Sequence, residues 1–347
     1  AVSMTEKLKR AVWILVATLI FVCVAFCVLT FLPERTNASE GVSKAPAVIV
    51  GGSNGDSYSD DSLTYAMEYD TSGGGCVWTG FTAYNGGAKV DLVIPAKVTG
   101  INLNAGSNKG LLSFFKPNLV SISFETGSRL TSFGTDFQGL EGLTSVSFEN
   151  AESLTQINAQ AFYNCKYLES LSLKGAKKLT TIGASAFEEC QRMQYADLFS
   201  AEVASKDTGT ALKTIGNYAF RGCAKLHTVA IPDSVSSIGD QAFFGCQTLH
   251  SINLPSSLVK PADLSASTFV SAFNSCHKLT EVENNSPYTE AELRIYAGFE
   301  NALNIYDPDA TSGNNKPYLF KTTNNLVFCK NTGRTSALAA GANYTIG

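Results

Sequence analysis

The chain has 347 residues, of which 44% are hydrophobic and 16% charged; the charged share lies well under the roughly 25% of an average soluble domain, which excludes global disorder and allows a large core. Lys and Arg number 26 against 30 Asp and Glu, a formal net charge of -4, so no basic excess is available for a phosphate backbone and nucleic acid is not an expected partner. Three histidines, and nine cysteines without any Cys-x-x-Cys pair, exclude the usual zinc and redox spacings.

Lys7, Lys9 and Arg10 precede an apolar run from Ala11 to Leu32 whose only polar members are Thr18 and Thr30. At about 1.5 Å rise per residue, this run reaches across a hydrocarbon core of about 30 Å. Pro33 ends it, and Thr36-Asn37-Ala38 offers a small-x-small cleavage site. Residues 1–38 are therefore read as a signal peptide or a signal anchor, both of which send the rest of the chain across a membrane. Met4 is the expected initiator. Residues 39–75 are rich in Gly, Ser and Asp, as in Gly51-Gly52-Ser53-Asn54-Gly55, and read as a flexible linker.

Beyond the linker a repeat sets the architecture. Phe137, Phe162, Phe187, Phe220, Phe243 and Phe273 follow one another at separations of 25, 25, 33, 23 and 30 residues. Three residues after each stands Leu140, Cys165, Cys190, Cys223, Cys246 or Cys276, and three further stands Leu143, Leu168, Met193, Leu226, Leu249 or Leu279. Alternating apolar residues follow, such as Val146 and Phe148 or Leu171 and Leu173, the pattern of a strand with one buried face. An alanine precedes five of the six phenylalanines, and an Ile lies upstream, followed by Asn158, Gly183, Gly216 or Gly239. These positions are expected to turn the chain at positive φ into a helical segment. One such unit cannot bury its apolar face alone, whereas stacked units share a continuous core. Extra residues at 200–210 and 260–268 are expected to bulge as loops.

The run from Ile231-Pro232-Asp233 to Ile238-Gly239-Asp240-Gln241-Ala242-Phe243-Phe244-Gly245-Cys246 resembles the BspA-type leucine-rich repeats of bacterial and protist surface proteins. The resemblance covers roughly 119–280. It implies an α/β solenoid, a leucine-rich-repeat array with one parallel strand and a short helical turn per repeat. It also implies an N-terminal β-hairpin cap within 76–118, centred on 80–101, all preceded by the transmembrane or signal helix. Residues 281–347 are expected to form a non-repeat β segment, with Tyr318-Leu319-Phe320-Lys321 and Leu326-Val327 as a strand pair, leading towards a further repeat at Tyr344-Thr345-Ile346-Gly347. The chain is expected to be part of a longer polypeptide. Leu140 in place of Cys and Asp136 in place of Ala suit an end unit facing a cap, and the unit at Phe273 lacks a clean Ile-Gly.

The repeat cysteines could be disulfides or metal ligands, but Leu140 takes the same place, so they read as small buried hydrophobes. Pairing of Cys76 with Cys329 would require the two ends of the array to meet. His227 and His250 occupy one row of adjacent units, too few ligands for a metal site by themselves. Asp307-Pro308-Asp309 resembles the start of a calcium loop, but the third ligand and the glycine are displaced. No His-Glu-x-x-His or phosphate-cradling Gly-Lys-Ser/Thr motif is present. The expectation is a non-catalytic chain without cofactor or metal. Asn37-Ala38-Ser39 and Asn343-Tyr344-Thr345 are glycosylation sequons in a eukaryotic host.

Residues between the buried strand positions should form outward ladders. One row reads Ser121, Ser145, Ser170, Tyr195, Thr228, Ser251 and Glu281; the other reads Ser123, Ser147, Ser172, Asp197, Ala230, Asn253 and Glu283. The candidate binding residues are Ser145, Ser170, Tyr195, Asp197, Thr228, Ser251, Asn253 and Glu281, on a polar face without the Trp, Tyr and Arg clustering of a strong hot spot. The family resemblance implies an exported cell-surface protein, secreted or held by its N-terminal helix, that mediates adhesion or binds extracellular or host proteins or glycans. The alternatives are a structural spacer presenting another domain, or the non-catalytic part of a larger surface enzyme.

Overall fold

The computed structural model describes residues 64–85, 89–103, 105, 116–199, 211–260, 269–279, 281–289, 292, 293 and 297, with further strands at 47–49, 57–59, 318–322 and 326–329. All belong to the unit Ala47–Gly347; the unit Ala1–Pro46, and with it the expected membrane or signal helix, lies outside the described residues. Among the described residues no helix is long and apolar enough to cross a membrane.

The repeat unit folds into one coil carrying two short parallel strands. After β5 (Val90–Ile94) and β7 (Leu119–Phe124), the first strand of each coil is β9 (Ser145–Ser147), β11 (Ser170–Ser172), β13 (Tyr195–Asp197), β15 (Thr228–Ala230), β17 (Ser251–Leu254) and β18 (Glu281–Asn284). With β19 (Tyr318–Thr322) and β20 (Leu326–Cys329) these form a ten-stranded sheet, parallel throughout except for the β19–β20 hairpin. The second strand of each coil is β8 (Ser132–Phe133), β10 (Gln156–Ile157), β12 (Thr181–Ile182), β14 (Thr214–Ile215) or β16 (Ser237–Ile238), in a five-stranded parallel sheet. The expected strand pair at 318–327 is thus present as β19 and β20, and β19 pairs in parallel with β18, so the long sheet runs past residue 280.

The third side of each coil differs from the expected helical turn. A 3-10 helix, Thr135–Phe137, occurs only in the first unit among those described. Later units carry linked tight turns with left-handed residues two places before and two places after the core phenylalanine: Gln160 (φ 60°) and Asn164 (φ 59°), then Ser185 (φ 56°) and Glu189 (φ 62°). Residues at positive φ interrupt a right-handed helix. Alternate N–H groups instead donate to the next coil, Gln160 to Ala184 O (2.9 Å), Phe162 to Ala186 O (2.8 Å) and Asn164 to Glu188 O (2.7 Å). A helix would have kept those donors for itself; here they bind coil to coil on all sides.

Gly183, Gly216 and Gly239, expected to turn the chain at positive φ, are not among the left-handed glycines. Their reason is close approach. A Cβ on Gly183 would lie 2.5 Å from Ala159 N, one on Gly216 2.6 Å from Ala184 N, and one on Gly239 2.4 Å from Asn217 N, all backbone of the preceding coil. Positive φ falls instead on positions such as Gly222 and Gly245 (both φ 73°), two residues after the phenylalanine.

The core phenylalanines form a column. Phe162–Phe187, Phe187–Phe220, Phe220–Phe243 and Phe243–Phe273 have ring centroids 5.3–5.4 Å apart and planes within 11° of parallel. This offset stack runs with the coil spacing and is fully buried. The ring spacing is the same across the 33-residue unit. Residues 200–210 and 261–268 lie outside the described residues.

The start of the column is closed from outside the repeats. β3 (Thr64–Asp70) and β4 (Val77–Asn85) form an antiparallel hairpin, and β1 (Ala47–Ile49) and β2 (Ser57–Ser59) extend the same sheet through β3. On its other side β4 pairs in parallel with β6 (Gly100–Ile101). The hairpin thus lies at 64–85, upstream of the expected 80–101, and β5 is already a strand of the long parallel sheet. The stretch read as a linker contributes β1, β2 and β3. β4 brings Trp78 to Phe137 (6.3 Å between ring centroids), with its indole N–H donating to Gly80 O at 2.7 Å. Asp136, the departure from Ala in the first unit, accepts the Leu103 N–H at 2.8 Å. The carboxylate joins the repeats to the cap where later units place a methyl against the next coil.

Each repeat thiol donates to the phenylalanine carbonyl of the coil before it: Cys165 to Phe137 O, Cys190 to Phe162 O, Cys223 to Phe187 O, Cys246 to Phe220 O and Cys276 to Phe243 O, at 3.2–3.3 Å. The cysteines are buried, as expected of small hydrophobes, but they also satisfy a carbonyl that a hydrophobe would leave weakly bonded. Burial pushes the Cys165 thiol up to about 11 and raises Cys190, Cys223 and Cys246 well above the ordinary range. The thiolate is the reactive form, so these four are expected to resist alkylation in the native protein and to react once it is unfolded, which peptide-resolved mass spectrometry reads directly. Cys223→Ala is expected to destabilise by about 1–2 kcal/mol through the lost contact and hydrogen bond, measured by urea denaturation.

Near the last described coil, Lys260 Nζ donates to both Glu292 carboxylate oxygens, at 2.6 and 2.7 Å, and the Thr289 N–H donates to the same group at 2.8 Å. Lys260 first, and then the Thr289 N–H, hold the Glu292 pKa down to about 2. The folded value lies below the unfolded one, about 4.3, so the contribution is complete above that pH and is lost as the pH falls from about 4 towards 2. In Lys260→Met the Glu292 titration, followed by NMR, is expected to return towards the ordinary glutamate range, and acid unfolding to begin less steeply.

Candidate functional site

The outward face of the long sheet is set by strand alternation. Leu92, Ile122, Val146, Leu171, Ala196, Val229, Ile252 and Val282 point into the core and are buried, which turns their neighbours to the surface. Register fixes the rows. Asp91, Ser121, Ser145, Ser170, Tyr195, Thr228, Ser251 and Glu281 pair in succession across eight strands. In the second row Ser147 pairs with Ser172, Ser172 with Asp197, Asp197 with Ala230, and Asn253 with Glu283. Ser145, Ser170, Asp197, Thr228 and Glu281 are exposed, while Tyr195, Ser251 and Asn253 are half-buried.

The structure gives four of these residues additional contacts. Asn253 Nδ2 donates to Ile231 O at 2.7 Å and its Oδ1 accepts the Ile231 N–H at 3.2 Å. Its amide therefore fastens two coils together. The Asp197 carboxylate accepts the Phe199 N–H at 3.1 Å. Its side chain reaches solvent, yet desolvation by partial burial raises its pKa against the opposing pull of that N–H. Tyr195 lies beside His227, ring centroids 6.4 Å apart. Ser121 donates to Asp91, at the start of the face.

His227 and His250 are adjacent on the surface, with the His250 N–H donating to His227 O at 3.1 Å. Among the described residues no three His, Cys, Asp or Glu side chains converge to hold a metal ion. The Asp307 loop, the sequons at Asn37 and Asn343 and the side chain of Cys329 lie outside the described residues.

A feature the row-by-row sequence reading missed lies on the turn just before the sheet. The Arg192 guanidinium sits over the Tyr167 ring, 4.4 Å from its centroid, and Tyr167 is 41% exposed. On the neighbouring turn side, Arg221 lies 5.4 Å from both the Tyr218 and Phe244 rings and pairs with Glu188 at 3.6 Å. The signal was available: Tyr167 and Arg192 each stand five residues after a core phenylalanine, in consecutive units. Attention to the strand rows alone passed over it.

The chain matches the family described as BspA type Leucine rich repeat region, in six copies, over residues 110–207 and 202–327, more than half its length. It belongs to the BspA-type leucine-rich-repeat family. Among solved structures it is similar to a leucine-rich repeat protein of T. pallidum at 22% identity, covering 64% of this chain and 80% of that one, with a TM-score of 0.41. It is also similar to a leucine-rich repeat protein from Eubacterium ventriosum at 18% identity, covering 67% and 71%, with a TM-score of 0.26. A third is a leucine rich cell surface protein from Faecalibacterium prausnitzii at 16% identity, covering 70% and 97%, with a TM-score of 0.17. No curated protein matches the chain. In this BspA-type array the family match spans β7 to β19 and all six phenylalanine-bearing coils.

Proposed function

We propose that this BspA-type leucine-rich-repeat chain is an exported, non-catalytic, cell-surface binding module that engages extracellular or host proteins or glycans through the outer face of its long sheet. The observation that carries this reading is the in-register ladder of short polar side chains, Ser145, Ser170, Thr228 and Ser251 among them, repeated at each coil. Such a face offers many equivalent weak contacts to a long or clustered partner, where avidity supplies the strength that no single contact has. The apolar run at 11–32, behind its cationic flank, supports export and a membrane-proximal position.

The test is a binding panel of extracellular-matrix proteins and neutral cell-surface glycans against the immobilised full chain. The wild type is compared with a variant carrying Ser145→Arg, Ser170→Arg and Thr228→Arg. Binding that the bulky cations abolish, with unchanged circular dichroism, supports the reading. Absence of binding across the panel, or binding that the variant keeps, defeats it.

A further inference from the structure

The rows on the turn before the sheet differ in charge from the rest of the surface. Between the cysteine and the strand of successive coils lie Lys166, Arg192, Lys225 and Lys278, all exposed. In the segments 166–169, 191–194, 224–227, 247–250 and 277–280 the only carboxylate is Glu169, whereas the chain as a whole carries a net charge of -4. Among the described residues none of these four cations has a carboxylate within ion-pair distance; the two described ion pairs use Arg221 and Lys260. Beyond the strand both signs occur, with Glu149 and Glu152 one unit before Lys174 and Lys177. The segregation is thus local to one strip.

The strip has the geometry of a line. Three consecutive coils supply Lys166, Arg192 and Lys225, Thr248 occupies the next, and Lys278 follows. With coils about 4.8 Å apart, the cations span roughly 19 Å along the stack. Arg192 is held over the Tyr167 ring, so part of its side-chain entropy is already lost before any ligand arrives. A guanidinium so placed takes a carboxylate or sulfate through paired N–H donors. Carboxylates border the strip on both sides, Glu188 and Glu189 towards the tight turns and Asp197 and Glu281 on the sheet.

We propose that the line Lys166–Arg192–Lys225–Lys278 is a binding strip for a linear acidic polysaccharide, one bearing carboxylate or sulfate groups along a slender chain. A nucleic-acid duplex is disfavoured because its two charged strands would meet the flanking acidic rows, whereas a single polysaccharide chain fits between them. The strip lies on the turn and not on the strand ladder, so it stands or falls separately from the ladder as a binding face.

The experiment measures binding of the full chain to dextran sulfate, polygalacturonate, neutral dextran and a short DNA duplex by biolayer interferometry. Dextran sulfate and polygalacturonate are expected to bind, with affinity falling steeply between about 50 and about 200 mM salt, and neutral dextran is expected not to bind. Replacing Lys166, Arg192, Lys225 and Lys278 together by serine is expected to weaken binding by about tenfold or more. Replacing Lys174, Lys177, Lys178 and Lys213 by serine, an equal loss of charge elsewhere, is expected to change it by less than about twofold. Circular dichroism checks that both variants fold. No binding of either acidic polysaccharide, equal loss in the two variants, or tighter binding of the duplex would each overturn the proposal. The three-arginine ladder variant distinguishes the two faces, since it is expected to retain polysaccharide binding.

Discussion

Phe220→Ala is expected to destabilise the repeat array by about 3–5 kcal/mol, the cost of truncating a fully buried phenylalanine. The residue sits mid-column, with Phe187 at 5.3 Å on one side and Phe243 at 5.3 Å on the other, and with ring planes 11° and 0° from its own. Removing the ring leaves two stacking faces without a partner and a cavity that the coils cannot close, because their spacing is fixed by three sets of backbone hydrogen bonds. Its carbonyl also accepts the Cys246 thiol, so a shift of the Phe220 backbone would carry into the next coil. Phe220→Leu should lose less, since it fills part of the volume. Urea denaturation followed by circular dichroism measures both, and a loss below about 1 kcal/mol for the alanine variant would show that the column is not central to stability.

Gly216→Ala is the second large effect, expected at about 2–3 kcal/mol from overpacking against backbone. Its Cβ would lie 2.6 Å from Ala184 N and 2.7 Å from Gly183 C, while the Gly216 N–H is bound to Ile182 O at 2.8 Å. Neither group can rotate aside, so coils must separate where they are tied. Gly245→Ala provides the comparison. Its φ is 73° and no atom approaches an added Cβ closer than 3.9 Å, so the expected loss is only the left-handed backbone cost of about 1–2 kcal/mol. The same denaturation experiment ranks the two. Equal losses would mean that Gly216 is retained for its dihedral angles and not for the contact.

These two substitutions mark where sequence reasoning reached and where it stopped. The spacing of Phe137, Phe162, Phe187, Phe220, Phe243 and Phe273 was enough to give the solenoid, its shared core and the identity of its buried rows, because only stacked units can bury a face that recurs at such a period. The polar ladders followed from alternation within each strand. What the period could not give was the hand of the backbone at Gln160 or Ser185. Their side chains carry no left-handed preference, and they hold positive φ because hydrogen bonds to the next coil compensate for it. For the same reason a helical turn was expected where tight turns exist.

The candidate face was legible in its rows and not in its partnerships. Asn253 and Ser145 look alike as outward polar residues, but only the fold brings the Ile231 backbone within reach of the amide. The Tyr167–Arg192 stack and the row of cations beside it depend on which residues fall at the same height in neighbouring coils.

The amino-acid order alone determined that this chain is a BspA-type array of stacked coils with a phenylalanine and cysteine spine, since periodic burial is a property of the sequence. The tertiary structure alone decided the cap at 64–85, the thiol bonds to the preceding coil and the reason for the glycine row. Each of these is a contact between residues 20 or more positions apart, and its energy depends on distances that exist only once the coils are stacked.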